Sequence, residues 1–261
     1  MNLSLEDRTA VVCGSTQGIG LAIAEELALL GASCILIARN EDSLKESLAK
    51  LSVDNRQLHS YAVADFSDPE NVRKVITEIV KKNTVHILIN NTGGPPAGPI
   101  FDAKEDEFIK AFNQHLVCNH ILTKAVVPGM IEANFGRIIN IISTSVRIPH
   151  NNLGVSNTIR GAVASWAKTM SNELGSFGIT VNNILPGYTM TARLQMLIDT
   201  NAEKRGVDKN KIEAEMAGTI PMRRFGAPSE IAAVAAFLAS PAGSYVNGTS
   251  IPVDGGRTGS I

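Results

Sequence analysis

Three glycines stand within seven residues at Gly14-Ser15-Thr16-Gln17-Gly18-Ile19-Gly20. They follow a short β-branched run, Thr9–Cys13, and precede a stretch of helical periodicity that begins at Leu21. A turn of this kind can hold a pyrophosphate. Glycine lets the chain turn tightly and lets backbone N–H groups approach the phosphates, whose charge then faces the positive end of a helix. The spacing is Gly-x-x-x-Gly-x-Gly, not the Gly-x-Gly-x-x-Gly of the common dinucleotide fingerprint. A ligand-free structural turn is the alternative. Position at the first strand–helix junction favours Gly14, Ser15, Gln17, Gly18, Ile19 and Gly20 as a cofactor-binding set.

The elements needed to present such a turn recur along the chain. Thr9–Cys13, Cys34–Ala38, Leu58–Val63, Val85–Asn90, Arg137–Ile142, Ile179–Leu185 and Ser250–Val253 read as strands. Most are continuous apolar runs, which suits strands covered on both faces of a parallel sheet. Between them lie amphipathic stretches such as Leu21–Leu30, with Ile23, Leu27 and Leu30 on one side and Glu25 and Glu26 on the other. Asp68-Pro69-Glu70 and Pro228-Ser229-Glu230 mark helix starts. The charged segment from Thr191 to Arg224 reads as a helical insertion or lid. Strand–helix alternation throughout predicts an α/β fold, a single-domain, Rossmann-like, doubly wound parallel sheet of about seven strands spanning residues 1–261.

Composition narrows the function. Apolar residues make up 44% of the 261 residues and charged ones 19%, enough for a large core. Net charge is −1, so no basic excess points to nucleic acid. Cys13, Cys34 and Cys118 are odd in number and far apart, matching neither a disulfide framework nor a paired-cysteine metal site, so no metal is expected. The longest apolar run, Ile231–Ala239, is short of the ~20 residues that cross a bilayer, and the amino-terminal segment lacks signal-peptide character. A soluble, cytoplasmic protein without membrane partners is expected.

Further motifs follow the strands in order: Asp65 after the third, Asn90-Asn91-Thr92-Gly93 after the fourth and Ser143 after the fifth. Asn182 and Pro186-Gly187-x-x-x-Thr191 surround the sixth, and Val253-Asp254-Gly255-Gly256 lies near the end. With the glycine turn, they make the chain resemble the short-chain dehydrogenase/reductase family over essentially its whole length. The resemblance implies that Asp65 and Phe66 border an adenine, Asn91 and Gly93 the adenosine ribose, and Pro186, Gly187, Thr189 and Thr191 the nicotinamide end. Thr92 departs from the family's usual alanine. At the end of the second strand an acid would select NAD and an arginine NADP. This chain has Ala38-Arg39-Asn40, with no acid before Glu41, so Arg39 is the expected partner of a 2′-phosphate and NADP the expected cofactor, ahead of NAD.

The family's chemistry uses a tyrosine and a lysine four residues later, thirteen past the active-site serine. From Ser143 that count reaches Ser156 and Arg160. A serine hydroxyl is a far weaker acid than a phenol, and arginine holds its proton. The family's fourth residue, an asparagine, falls on His115, whose ordinary pKa of about 6.5 suits proton delivery. His150 and Tyr188 are further candidates. Three readings stay open: a reductase with a rewired acid, a catalytically impaired nucleotide-binding sensor or regulatory subunit, and an epimerase or lyase. By layout the chain resembles the 3-oxoacyl carrier-protein reductase branch most. The substrate would then be a small or acyl-thioester ketone, the thioester docking on Arg137, Arg147, Lys168, Arg223 and Arg224. The resemblance also implies a homotetramer.

Overall fold

Seven short apolar runs become the strands β1 (Thr9–Cys13), β2 (Ser33–Ala38), β3 (Ser60–Val63), β4 (Ile87–Asn90), β5 (Gly136–Ile141), β6 (Ile179–Pro186) and β7 (Ser250–Val253) in the computed structural model, which describes residues 1–259. All neighbours pair in parallel, in the order β3-β2-β1-β4-β5-β6-β7. The order reverses between β1 and β4, and the crevice beyond the carboxyl ends of those strands is where open α/β sheets take their ligands. The strand expectations hold, with the third and fourth each trimmed to four residues. Leu58 lies outside it and is exposed, as befits the approach to an edge strand.

Alternation along each strand divides the core between two faces. Ala10 and Val12 of β1, with Ile87 and Ile89 of β4, pack against helices α1 (Gly18–Leu29) and α9 (Pro228–Ala239). Val11, Cys13 and Leu88 face the other way, towards α3 (Pro69–Lys82), α5 (Cys118–Glu132) and α6 (Gly154–Leu174). A short α2 (Glu41–Leu48) links β2 and β3. The anticipated cap of α3 is present: Asp68 Oδ1 accepts from Glu70 N at 3.0 Å and Asn71 N at 3.1 Å. The three cysteines are buried and unbridged, and burial raises all three thiols, Cys34 and Cys118 to about 12.

Two departures from regularity bear on the crevice. Helix α4 (Glu105–Phe112) runs into α5 through one widened π turn, Asn113–Val117, which carries His115. The segment 191–224 folds as α7 (Ala192–Arg205) and α8 (Lys209–Gly218), a helical hairpin with its own small core of Leu194, Ile198, Ala202 and Ile212. Its outer charges pair internally, Arg205 with Glu215 and Lys209 with Asp199.

A polar ladder fixes the register of the carboxyl-terminal half of the sheet. Asn90 Nδ2 donates to Asn140 Oδ1 and Asn140 Nδ2 to Asn183 Oδ1, each at 2.9 Å, and Asn183 Nδ2 donates to Ser250 Oγ at 3.0 Å. All three asparagines are buried. Replacing Asn140 by alanine removes two bonds and strands an amide on either side, which should cost about 2–4 kcal/mol. Urea unfolding of Asn140→Ala measures it; a loss below ~0.5 kcal/mol would show that the ladder contributes nothing net.

Candidate active site

Backbone closeness dictates the glycines of the turn. A side chain at Gly20 would place its Cβ 2.1 Å from Gly14 O, and one at Gly14 would meet Asn91 O at 2.6 Å, besides straining its φ of +59°. Asn91 holds this contact by donating from Nδ2 to the carbonyls of Cys13 and Gly14, each at 3.2 Å. Gly18, at φ +56°, lies under Thr191, whose Cγ2 would be 3.1 Å from an added Cβ. The positive end of α1 is left open. Its N-cap, Gln17, makes no side-chain capping bond, whereas Asn40, Asp68, Thr191 and Asp208 cap α2, α3, α7 and α8. Ser15 is fully buried and its Oγ has no partner among the described residues. Open N–H groups, an orphaned hydroxyl and a cradle that any Cβ would fill suit a diphosphate.

Outward from the turn, Arg39 is exposed at the end of β2. The first acid after it, Glu41, is already engaged: Lys45 Nζ and Tyr61 OH each lie 3.0 Å from its Oε1. Asp65 accepts from Ser67 N at 2.9 Å, and that bond, aided by the Arg39 charge, lowers its pKa despite partial burial. Phe66 is buried beside it, and Gly93 is exposed past β4.

Across the crevice the structure brings Ser156, Arg160, His115 and Ser143 to the carboxyl ends of β4 and β5. Arg160 Nη1 donates to the carbonyls of Ile141 at 3.3 Å and Ile142 at 2.8 Å, and its Nε donates to Ser156 Oγ at 3.2 Å. The one-turn spacing on α6 makes that last bond possible. Ser143 closes the end of β5, its Oγ accepting from Ser145 N at 3.1 Å. Burial, then the neighbouring Arg193, lowers the Arg160 pKa to about 10, so it stays charged at neutral pH. His115 is buried on its π turn. Its Nδ1 lies 2.7 Å from Thr92 Oγ1, and its Nε2 has no partner among the described residues. Burial first, then the charges of Arg160 and Arg193, depress its pKa from 6.5 to about 3. The ordinary histidine pKa expected from sequence is therefore corrected: this imidazole is neutral at pH 7.

The loop after β6 closes the site from above. Gly187 N donates to Val253 O at 3.0 Å, where a Cβ would lie 2.6 Å from Asp254 Cβ. Thr189 is buried, and Thr191 Oγ1 caps α7 by accepting from Leu194 N. Arg193, in the first turn of α7, reaches back to β4: its Nη2 donates to Pro95 O at 3.3 Å. A Cβ on Gly94 would meet Arg193 Nη1 at 2.6 Å and Arg160 Nη2 at 3.1 Å, so both guanidinium groups converge on that glycine.

Two further candidates are engaged with Arg257. Tyr188 stacks under Arg257, 4.1 Å from guanidinium carbon to ring centre, and its OH accepts from Arg257 Nη2 at 3.2 Å. His150 borders the same arginine, together with Thr144, in a neighbouring cavity of about 210 Å³. The docking patch is also corrected. Arg137 is buried beneath Phe135 and donates to the carbonyls of Gly136, Gly178 and Ser240; Arg224 is paired with Glu230. Sequence reasoning missed Arg193 and Gly94. The glycine pair Gly93-Gly94 was a visible signal, whereas nothing local ties Arg193 to it.

A family model described as enoyl-(acyl carrier protein) reductase matches residues 14–258. The chain is similar to the NADPH-dependent reductase BacG of Bacillus subtilis (strain 168), 32% identical over 98% of this chain and 100% of the relative. It is 35% identical to the 3-oxoacyl-acyl-carrier-protein reductase FabG of Vibrio cholerae serotype O1, over 97% of this chain and 98% of that protein. The crystal structure of L-sorbose reductase from Gluconobacter frateurii, complexed with NADPH and L-sorbose, superposes with a TM-score of 0.94 at 28% identity and full coverage of both chains. No helix among the described residues is long and apolar enough to cross a membrane, and those residues hold no metal-binding cluster.

The depressed His115 pKa has a testable sign. Below pH 6.5 the unfolded chain protonates this side chain while the native chain, with its pKa about 3, does not. Its contribution to stability is therefore complete above pH 6.5 and falls as the solution is acidified, by at most about 1.4 kcal/mol per pH unit. Urea titrations between pH 7 and 4 should show this acid-side loss reduced in His115→Asn relative to the unaltered chain. Parallel curves would contradict it.

Proposed function

This chain belongs to the short-chain dehydrogenase/reductase family, and from that premise we propose that it is an NADPH-dependent reductase converting a small ketone to an alcohol through a serine–arginine pair. The observation that carries this reading is the union, at one edge of the sheet, of an uncapped helix terminus with a hydroxyl–guanidinium couple. NADP fits the chain better than NAD, because Arg39 is exposed at the end of β2 and the nearest acid is already engaged. The relatives described as NADPH-dependent or complexed with NADPH agree.

Gly14, Ser15, Gln17, Gly18, Ile19 and Gly20 would hold the diphosphate, Arg39 the 2′-phosphate, and Asp65 and Phe66 the adenine. Asn91 and Gly93 would lie along the ribose, and Pro186, Gly187, Thr189 and Thr191 at the nicotinamide end. When bound, the cofactor supplies the hydride that reduces the carbonyl carbon. The remaining work is electrostatic. Ser156 Oγ is occupied as an acceptor by Arg160 Nε, which leaves its hydroxyl hydrogen to donate to the substrate oxygen. The fixed charge of Arg160 stabilises the alkoxide as it forms, and Ser143 offers a second hydroxyl. Neutral His115 can donate only from Nε2, and its Thr92 contact allows that tautomer. Because neutral His115 would have to become an imidazolate to give up that proton, the product oxygen takes its proton from water.

The ketone is small or acyl-linked; of the expected thioester-docking groups Arg137 is buried, while Arg224 is exposed but paired with Glu230. A homotetramer remains the assembly that family membership favours. Nucleotide titration, then NADPH oxidation against a ketone panel that includes 3-oxoacyl thioesters, tests the function. NADPH should bind at least about tenfold tighter than NADH, with Arg39→Ala removing most of the difference. Ser156→Ala should lower kcat on the order of 100-fold while NADPH affinity holds. Failure to bind either nucleotide would overturn the proposal; binding without turnover would favour a nucleotide-dependent sensor.

A further inference from the structure

Arginine is out of place at the start of a helix, where the unsatisfied N–H groups make the end positive and acids are favoured. Helix α7 nevertheless begins with Arg193 in its first turn and has no acidic residue there. The side chain does not turn away. It folds over Gly94, onto the point where the Arg160 guanidinium arrives from α6. No carboxylate lies within ion-pair reach of either group among the described residues, although the same hairpin pairs Arg205 with Glu215 and Lys209 with Asp199 farther out. Two cations and a positive helix end thus meet at one spot beside the Ser156 hydroxyl, which Arg160 itself contacts.

The donors left over define what fits. Arg160 uses Nε and Nη1 on Ser156, Ile141 and Ile142, so Nη2 is free to donate. Arg193 uses Nη2 on Pro95, so its Nη1 and Nε remain. Arg160 Nη2 and the free nitrogens of Arg193, gathered on one face of Gly94, match the two oxygens of a planar carboxylate. We infer that the substrate ketone carries a carboxylate close to its carbonyl, and that Arg193, gathered with Arg160 over Gly94, is the residue that selects it. The substrate class is an oxo acid. This inference rests on the reductase reading above. It assigns Arg193 to specificity, outside hydride and proton transfer, and gives Gly94 its reason: any larger residue would displace the Arg193 guanidinium.

Matched substrates test it. Two-oxo acids of increasing length and their methyl esters are compared by kcat/KM with NADPH, alongside NADPH affinity, in the unaltered chain, Arg193→Met, Arg193→Lys and Gly94→Ala. The unaltered chain should favour acid over ester by roughly 10- to 100-fold. Arg193→Met and Gly94→Ala should both erase that preference, chiefly through KM, and Arg193→Lys should restore part of it. Gly94→Ala keeps the arginine and displaces only its mobile tip, so it separates guanidinium position from loss of the residue. An equal preference for acid and ester overturns the inference, as does a preference that survives both substitutions. Weakened NADPH binding in Arg193→Met with the preference intact assigns the anion to the cofactor and also overturns it. Should no ketone be reduced, the reductase reading fails by itself. Calorimetric titration with oxamate, which cannot be reduced, then decides the anion site: binding that Arg193→Met removes supports it, and no binding overturns it.

Discussion

A guanidinium anchored on two backbone carbonyls, with no acid beside it among the described residues, is the constraint from which the rest of the site follows. The Arg160 charge is held by the dipoles of Ile141 and Ile142 at the end of β5, so its position is set by the sheet and not by a flexible counter-ion. A buried charge that loses a partner commonly costs 3–5 kcal/mol. Carbonyl dipoles offset part of that cost while leaving the net positive charge in place. That charge orients Ser156, reinforces the neutrality of His115, and makes the approach of Arg193 unfavourable unless something negative lies between them. One interaction therefore orients Ser156 and adds to the effect of burial on His115.

The sheet supplies the rigidity this arrangement needs. Every strand delivers its residues to the same edge because every pairing is parallel, and the asparagine ladder ties β4, β5, β6 and β7 together just below that edge. Asn91, one residue past the ladder, braces the glycine turn from beneath. The turn and the serine–arginine couple are thus mounted on one hydrogen-bonded frame. The α7–α8 hairpin, with a small core of its own, carries Arg193.

Features written in local pattern were legible in the sequence. Continuous apolar runs marked all seven strands, helix caps marked α3 and α9, and glycine spacing marked the turn. Counting along the helices reached Ser156, Arg160 and His115, because α6 and the α4–α5 rod hold that spacing. Properties set through space were not legible. The His115 pKa depends on Arg160 and Arg193, 45 and 78 residues away, and on a π turn that apolar periodicity does not reveal. Arg137 read as a surface charge because nothing local announces that Phe135 and three carbonyls enclose it. Asn140 and Asn183 went unremarked in the sequence, since only parallel register aligns them with Asn90.

A serine–arginine pair and a tyrosine–lysine pair divide the work of reduction differently. A phenol beside an ammonium can both steady an oxyanion and give it a proton, since each group titrates within reach of neutral pH. Neither serine nor arginine can give up a proton there, so in the proposed reaction Ser156 and Arg160 would be confined to electrostatic stabilisation. The proton must come from a different group, and a histidine forced neutral is no ready reservoir of protons. Compensation has to come from a stronger field. A positive charge in a water-poor pocket acts at low effective dielectric, where it stabilises a developing alkoxide far more than it would in water. Burial depresses His115 first and the field of the Arg160 charge adds to it, and that same field would hold the oxyanion. Weakening it to recover a titratable histidine would remove the stabilisation that makes a serine sufficient.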